Sequence, residues 1–198
     1  MTDPIIEQTQ RARALGLEGE FADAHAILDE LPAGHPNVAI ERGRLLRTAG
    51  DPDAARPFFE AAAASAAGDL RVDALHMIAL VLPLDQQVAA HEAALSEARD
   101  SAPNWVASLL NNLGMTYTEL GDWDAALNVF EQALAEREKR GDPEATRIAK
   151  WMIAWTLRNL ERQDEALAMQ TALKSELDAL GETDPYVEEE LELLRVPE

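Results

Sequence analysis

The stretch from Ala107 to Leu134, ASLLNNLGMTYTELGDWDAALNVFEQAL, constrains the fold most, because it reads as one complete helix-turn-helix phrase whose neighbours are imperfect copies. Leu110, Leu113, Gly114 and Tyr117 recur at three- and four-residue spacing, so they share one face of a helix. Gly121 stops that helix, and Asp122 is placed to cap the next by accepting backbone N–H bonds. The second helix presents Trp123, Ala126, Leu127, Phe130, Ala133 and Leu134, where the large residues fill space and Gly114, Ala126 and Ala133 leave room for close backbone approach. One hairpin of this kind buries a single face poorly. It needs copies stacked on it.

The copies are present on both sides. Residues 4–31 carry Ala12, Leu15, Gly19, Phe21, Ala24 and Leu28 in the same order, and Pro32, Gly34 and Pro36 end that phrase. Residues 36–67 repeat it with Gly43, Leu46, Gly50-Asp51, Ala55, Phe59 and Ala62. The phrase at 69–99 is weaker: Leu75, Ile78, Ala79 and Leu82 fit a first helix, but Pro83-Leu84-Asp85 replaces the Gly-Asp turn. The reference hairpin spans 104–140, and a fifth spans 144–180 with Ile153, Ala154, Leu157, Ala166 and Leu167. There Gln170 and Leu173 stand in place of Phe130 and Ala133. After the break from Gly181 to Pro185, Tyr186, Val187, Leu191 and Leu194 define a final helix at 185–195 that caps the array. No flexible linker interrupts the series, so residues 1–198 are expected to form one domain.

Composition narrows the function classes. A 47% hydrophobic content with only 5% aromatic residues favours a helical globular chain. With no cysteine there is no disulfide framework and no thiolate metal site. The four histidines, His25, His35, His76 and His91, fall in separate phrases without metal-ligand spacing, so no metal site and no cofactor are expected. There is no glycine-rich phosphate loop, no Gly-x-Ser-x-Gly elbow and no cysteine nucleophile. The carboxylate pairs Asp51/Asp53 and Asp122/Asp124 lie at turns, where capping accounts for them better than acid–base catalysis. The chain therefore reads as a non-enzyme. A formal net charge of −20 repels nucleic-acid phosphates and anionic lipid, so neither is an expected partner. The opening MTDPII lacks the features of a signal peptide, and no apolar run approaches the roughly 20 residues of a membrane span, which predicts a cytoplasmic location.

Leu110, Leu113, Gly114, Tyr117, Gly121, Ala126, Phe130 and Ala133 resemble the tetratricopeptide repeat signature, and the Leu-Asn-Asn-Leu-Gly run and Glu-Arg-rich exit are similar to the longer repeats of kinesin light chains. The resemblance implies an all-α, right-handed α-solenoid of about five hairpins plus a C-terminal capping helix, acting as a scaffold for a protein or peptide. In that family the first helices line a concave groove. With Ala12, Gly43, Ala79, Gly114 and Ala154 as the small reference residues, Leu15, Leu46, Leu82, Tyr117 and Leu157 fall on the buried face. The groove rows then hold Ile6, Thr9, Arg13 and Gly16; Asn37, Ile40, Arg44 and Arg47; Asp73, His76, Leu80 and Pro83; Ser108, Asn111, Met115 and Thr118; and Ile148, Trp151, Trp155 and Arg158.

These twenty positions carry four arginines and one acid in a chain of net charge −20. That predicts a groove for an acidic or carboxylate-bearing peptide, with Arg13, Arg44 and Arg47 as forked donors and Asn111 pairing with peptide backbone. The competing account is that the arginines balance acids on neighbouring helices. Asn112 sits where the family's carboxylate-clamp members have an asparagine, but Ile148 and Met152 stand where the clamp needs bases, so chaperone-tail binding is not expected. Trp151 and Trp155, with Ile148 and Met152, make the fifth first helix apolar all round, which requires a cover. The cover is either a bound aromatic anchor, the C-terminal helix or a second copy of the chain. Trp105 and Trp123 are assigned to hairpin packing. Two further readings stand beside the peptide scaffold: a homo-oligomer assembled through the Trp151/Trp155 helix, and a regulatory repeat module acting in trans on a partner regulator.

Overall fold

The apolar spacing is realised as eleven α-helices and one short 3-10 turn across residues 3–195, the part of the chain that the computed structural model describes. No strand occurs among those residues. The helices form hairpins α1 (Pro4–Glu18) with α2 (Phe21–Asp29), α3 (Pro36–Thr48) with α4 (Pro52–Ser65), and α5 (Gly68–Ala79) with α6 (Leu84–Ser101). After the turn Pro103–Trp105 come α7 (Val106–Glu119) with α8 (Trp123–Arg140), α9 (Pro143–Asn159) with α10 (Gln163–Leu180), and a last helix α11 (Pro185–Arg195). The chain divides into two compact units, one ending at Trp105 and the other beginning at Val106.

The inside of each hairpin obeys a volume rule. The small residue of every first helix has a buried residue sixteen positions further on, in the second helix: Ala12 and Leu28, Gly43 and Phe59, Ala79 and Leu95, Gly114 and Phe130, Ala154 and Gln170. Glycine accompanies phenylalanine and alanine accompanies a smaller side chain. A Cβ on Gly43 would lie 2.5 Å from Phe59 Cε1, and one on Gly114 would lie 2.7 Å from Phe130 Cδ1 and Cζ. The rings therefore rest directly on helix backbone, and Phe59 and Phe130 are fully buried.

Turn chemistry follows the sequence closely. Asp51 Oδ1 accepts the Ala54 N–H and Asp122 Oδ1 accepts the Ala125 N–H, both at 3.0 Å, so the turn carboxylates are caps. Gly50 and Gly121 take φ of 88° and 78° immediately before these caps. In the fifth hairpin the same place is held by Glu161 at φ 60°, a conformation that costs a residue with a Cβ about 1 kcal/mol or more. The following Arg162 makes no side-chain cap.

In the first unit α3 packs on α1 and α5 as well as on its own partner α4. In the second unit α11 lies on α9 and α10, with Val187 and Leu191 buried against Leu173 and Leu177. It is the capping helix that the sequence called for.

Two expectations are corrected. The helix α5 ends at Ala79, so Leu82 lies in the turn and not on the first helix, because Pro83 must be approached in extended backbone. Trp105, assigned to hairpin packing, ends the first unit and packs on His76 of α5, with ring centroids 5.9 Å apart. Thr9, Gly16, Ile40 and Asp73, assigned to the ligand-facing groove rows, are buried. They lie where first helices meet side by side: a Cβ on Gly16 would overlap Leu45 Cδ2, which shows how closely α1 and α3 approach.

Three variants test this packing and its turns. Replacing Gly114 by Ala should destabilise by about 1–2 kcal/mol in urea unfolding, since overpacking against Phe130 outweighs the roughly 1 kcal/mol that alanine normally gains inside a helix. Adding Phe130→Leu to that variant should cost less than the two separate changes summed, because the pair then matches Ala12 and Leu28. Glu161→Gly should raise stability by about 0.5–1 kcal/mol by relieving the left-handed turn.

Candidate functional site

The first helices of the N-terminal unit carry a chain of alternating charges. Glu41, almost fully buried on α3, accepts from Arg13 of α1 through Nε at 3.1 and 3.0 Å and also through Nη2. It further accepts from Arg44 Nη1 at 2.6 Å, while Arg44 Nη2 donates to Asp73 of α5 at 2.5 Å. The hydrogen bond with Glu41 holds the Arg13 pKa above its ordinary value. Burial pushes the Asp73 carboxyl up, against the pull of Arg44. Two of the three predicted groove arginines thus have carboxylate partners already. Arg47, one turn beyond Arg44, is exposed and has no ion-pair partner among the described residues. It lines a small pocket of about 160 Å³ with Arg13, Arg44, Leu17 and Thr48. The three arginines against two acids leave this face one charge positive, in a chain of net charge −20.

In the C-terminal unit the tryptophans form a continuous aromatic run. Trp151 stacks on Trp155 at 6.1 Å with an interplanar angle of 7°, Trp123 meets Trp155 edge-on at 5.1 Å, and Tyr186 of α11 meets Trp151 edge-on at 6.0 Å. Trp123 therefore packs between hairpins, as assigned. Met115 joins the same cluster, and both Trp151 and Trp155 are half-buried. Arg158 donates to Glu190 of α11 through Nε at 2.7 Å and Nη2 at 2.8 Å, a forked pair that raises the arginine pKa. Asn112 Nδ2 donates to the Ser108 carbonyl at 3.0 Å, whereas the buried Oδ1 of Asn111 has no partner.

The acids Glu41 and Glu190 were missed as structural partners. Glu190 had a legible signal, since it sits beside Leu191 and three residues after Val187, on the face that α11 buries. Also missed was a cleft of about 500 Å³ between α9, the end of α10 and the start of α11, walled by Ile148, Trp151 and Tyr186.

Residues 105–172 match the tetratricopeptide repeat family. Solved structures extend the likeness beyond that stretch. The TPR-like repeats of a putative kinesin light chain from Podosopora anserina are 17% identical with a TM-score of 0.68, over 88% of this chain and 96% of that one. BtubC (BKLC) from P. vanneervenii is 22% identical with a TM-score of 0.72, over 91% and 82% of the two chains. MamA from AMB-1 is 19% identical with a TM-score of 0.55, over 86% and 96%. At these identities the shared property is the fold, a series of all-α tetratricopeptide-like hairpins. No curated protein matches the chain in sequence. No helix among the described residues is long and apolar enough to cross a membrane.

A pH-sensitive pair lies behind the charged face. His91 of α6 is fully buried with both ring nitrogens unpartnered, and His76 of α5 lies 6.2 Å away. Burial lowers each pKa to about 4, helped for His76 by the charges of His91, Arg44 and Arg47. The unfolded chain binds these protons near pH 6.5, so the stability they permit is complete at neutral pH and falls as pH drops from 6.5 toward 4. Each histidine contributes a slope of about 1.4 kcal/mol per pH unit in that window. Asp73, with its raised pKa, acts in the opposite sense. Urea midpoints at pH 7 and pH 5 should show a marked acid loss for the wild type, and roughly half that loss for His91→Leu.

Proposed function

We propose that this chain is a non-catalytic scaffold that binds a protein segment on the first-helix face of its N-terminal unit, with a carboxylate of the ligand received by Arg47. The observation that carries this reading is an exposed, unpaired guanidinium beside a fixed lattice of four charged side chains. Arg13 and Arg44 are held by Glu41 and Asp73, so they set a local field and geometry while Arg47 supplies free forked donors. The half-exposed side chain of Arg13 and the exposed Leu17 extend the surface that such a segment would cover. Tetratricopeptide repeat proteins act as protein-interaction scaffolds, and the family match supports that broad class.

Self-association through Trp151 and Trp155 is less favoured, because those rings already contact Trp123, each other and Tyr186. Action in trans on a partner regulator is one form that scaffolding could take, and it uses the same face.

The test is a pull-down of acidic and carboxylate-terminated peptides with the wild type, Arg47→Glu and Arg47→Ala. Losing one exposed charge-assisted fork should weaken binding about tenfold for Arg47→Ala and further for Arg47→Glu. Binding that is indifferent to both changes would remove this face from the function.

A further inference from the structure

We propose that the cleft in the C-terminal unit is a second binding site, for a basic amphipathic protein segment that inserts one large apolar side chain and lays Lys or Arg on the rim. This goes beyond the carboxylate reading of the N-terminal face, and its ligand has the opposite charge.

Met152, Leu173, Leu177 and Val187 form a floor that is buried in the hairpin core. Above it Ile148 and Tyr186 stay 49% and 64% exposed, on facing helices α9 and α11. Large apolar side chains left this open across a concavity are a place for another apolar body, not a solvated surface. The cleft volume, about 500 Å³, lies in the range that holds one aromatic side chain together with a long aliphatic stem.

The rim decides the charge of the occupant. Glu144, Glu182 and Asp184 line it against a single cation, Arg147. Glu144 is exposed and has no ion-pair partner among the described residues, and Arg147 reaches Glu182 only at 3.4 Å. Asp184 accepts the Tyr186 N–H at 2.9 Å and leaves its charge at the mouth. Glu144 and Asp184 stand at helix starts, where the positive ends of α9 and α11 offset part of their charge, but the balance of three carboxylates to one guanidinium remains negative. Within the same concavity Trp151 and Tyr186 present aromatic surface, on which a Lys or Arg head is favourably placed. An acidic ligand would meet a like-charged rim here. A basic one would be steered to it by the net charge of −20 and anchored by the apolar wall.

Because so acidic a protein attracts any cationic peptide loosely, the experiment must separate anchoring from attraction. A fluorescein-labelled amphipathic peptide with Leu and Phe on one face and Lys on the other, and a twin with Glu for every Lys, are titrated by anisotropy at physiological salt. The basic peptide should bind and its acidic twin should not. Ile148→Ser and Tyr186→Ala, which change no charge, should each weaken binding at least fivefold. Glu144→Gln with Glu182→Gln should weaken it about tenfold and flatten its salt dependence. Asp53→Asn with Glu60→Gln, an equal charge change in the other unit, and Arg47→Glu should each leave it within twofold, which separates this site from the N-terminal face. The proposal is overturned if the uncharged variants bind like the wild type, if the control pair matches the rim pair, or if the acidic twin binds equally. It is also overturned if light scattering shows a dimer that Tyr186→Ala dissociates, since a second copy then fills the cleft.

Discussion

The fold depends on an aromatic ring lying directly on helix backbone. Phe59 over Gly43 and Phe130 over Gly114 bring the two helices of a hairpin closer than any side-chain pair with a Cβ in between would permit. Close packing of this sort leaves the outer faces of both helices free, and those faces are what neighbouring hairpins and ligands use. Where the ring is absent the spacing is kept by trading volume across the pair, as with Ala12 and Leu28.

That trade explains how much of the fold was legible. Glycine and phenylalanine at fixed offset, with a Gly-Asp turn between, mark the second and fourth hairpins plainly in the amino-acid sequence. The third hairpin was harder because Pro83 replaces the turn signal and its packing partner is Leu95, one leucine among many. Burial of Thr9, Ile40 and Asp73 was misread because hairpin periodicity defines which face meets the partner helix. It carries no information about where first helices of successive hairpins touch one another.

The candidate site was legible in residue type more than in role. Arg13, Arg44, Arg47 and Arg158 stood out because they interrupt an acidic chain. Their fates differ through geometry alone. Glu41 and Asp73 reach Arg13 and Arg44 from the same row of first helices, and Glu190 reaches Arg158 from the capping helix. Removing these acids from solvent is tolerated because each accepts from an arginine, Glu41 and Glu190 through a fork and Asp73 through one bond, and in return the helices are registered against one another by direction-specific contacts. Arg47 escapes because no acid occupies the corresponding place on a neighbour.

The fifth hairpin breaks several local rules at once. Glu161 adopts a glycine conformation, and Gln170 fills a phenylalanine's place with its whole amide buried and unpartnered. The buried indole N–H of Trp151 also lacks an acceptor. Each is a cost of about 1 kcal/mol or more that a more regular residue would avoid. Stability alone would favour Gly at 161 and a ring over glycine in place of Ala154 and Gln170, as in the preceding hairpin. Buried unpartnered polar atoms also occur at His91 and Asn111, but in the fifth hairpin several such costs fall together, and a chain tends to break local rules where another demand competes. Here the breaches gather beside the helix that walls the cleft, whereas Gly114, Phe130, Gly121 and Asp122 keep the fourth hairpin regular. The physical argument for a second binding surface in this unit therefore comes from its framework as well as from its lining.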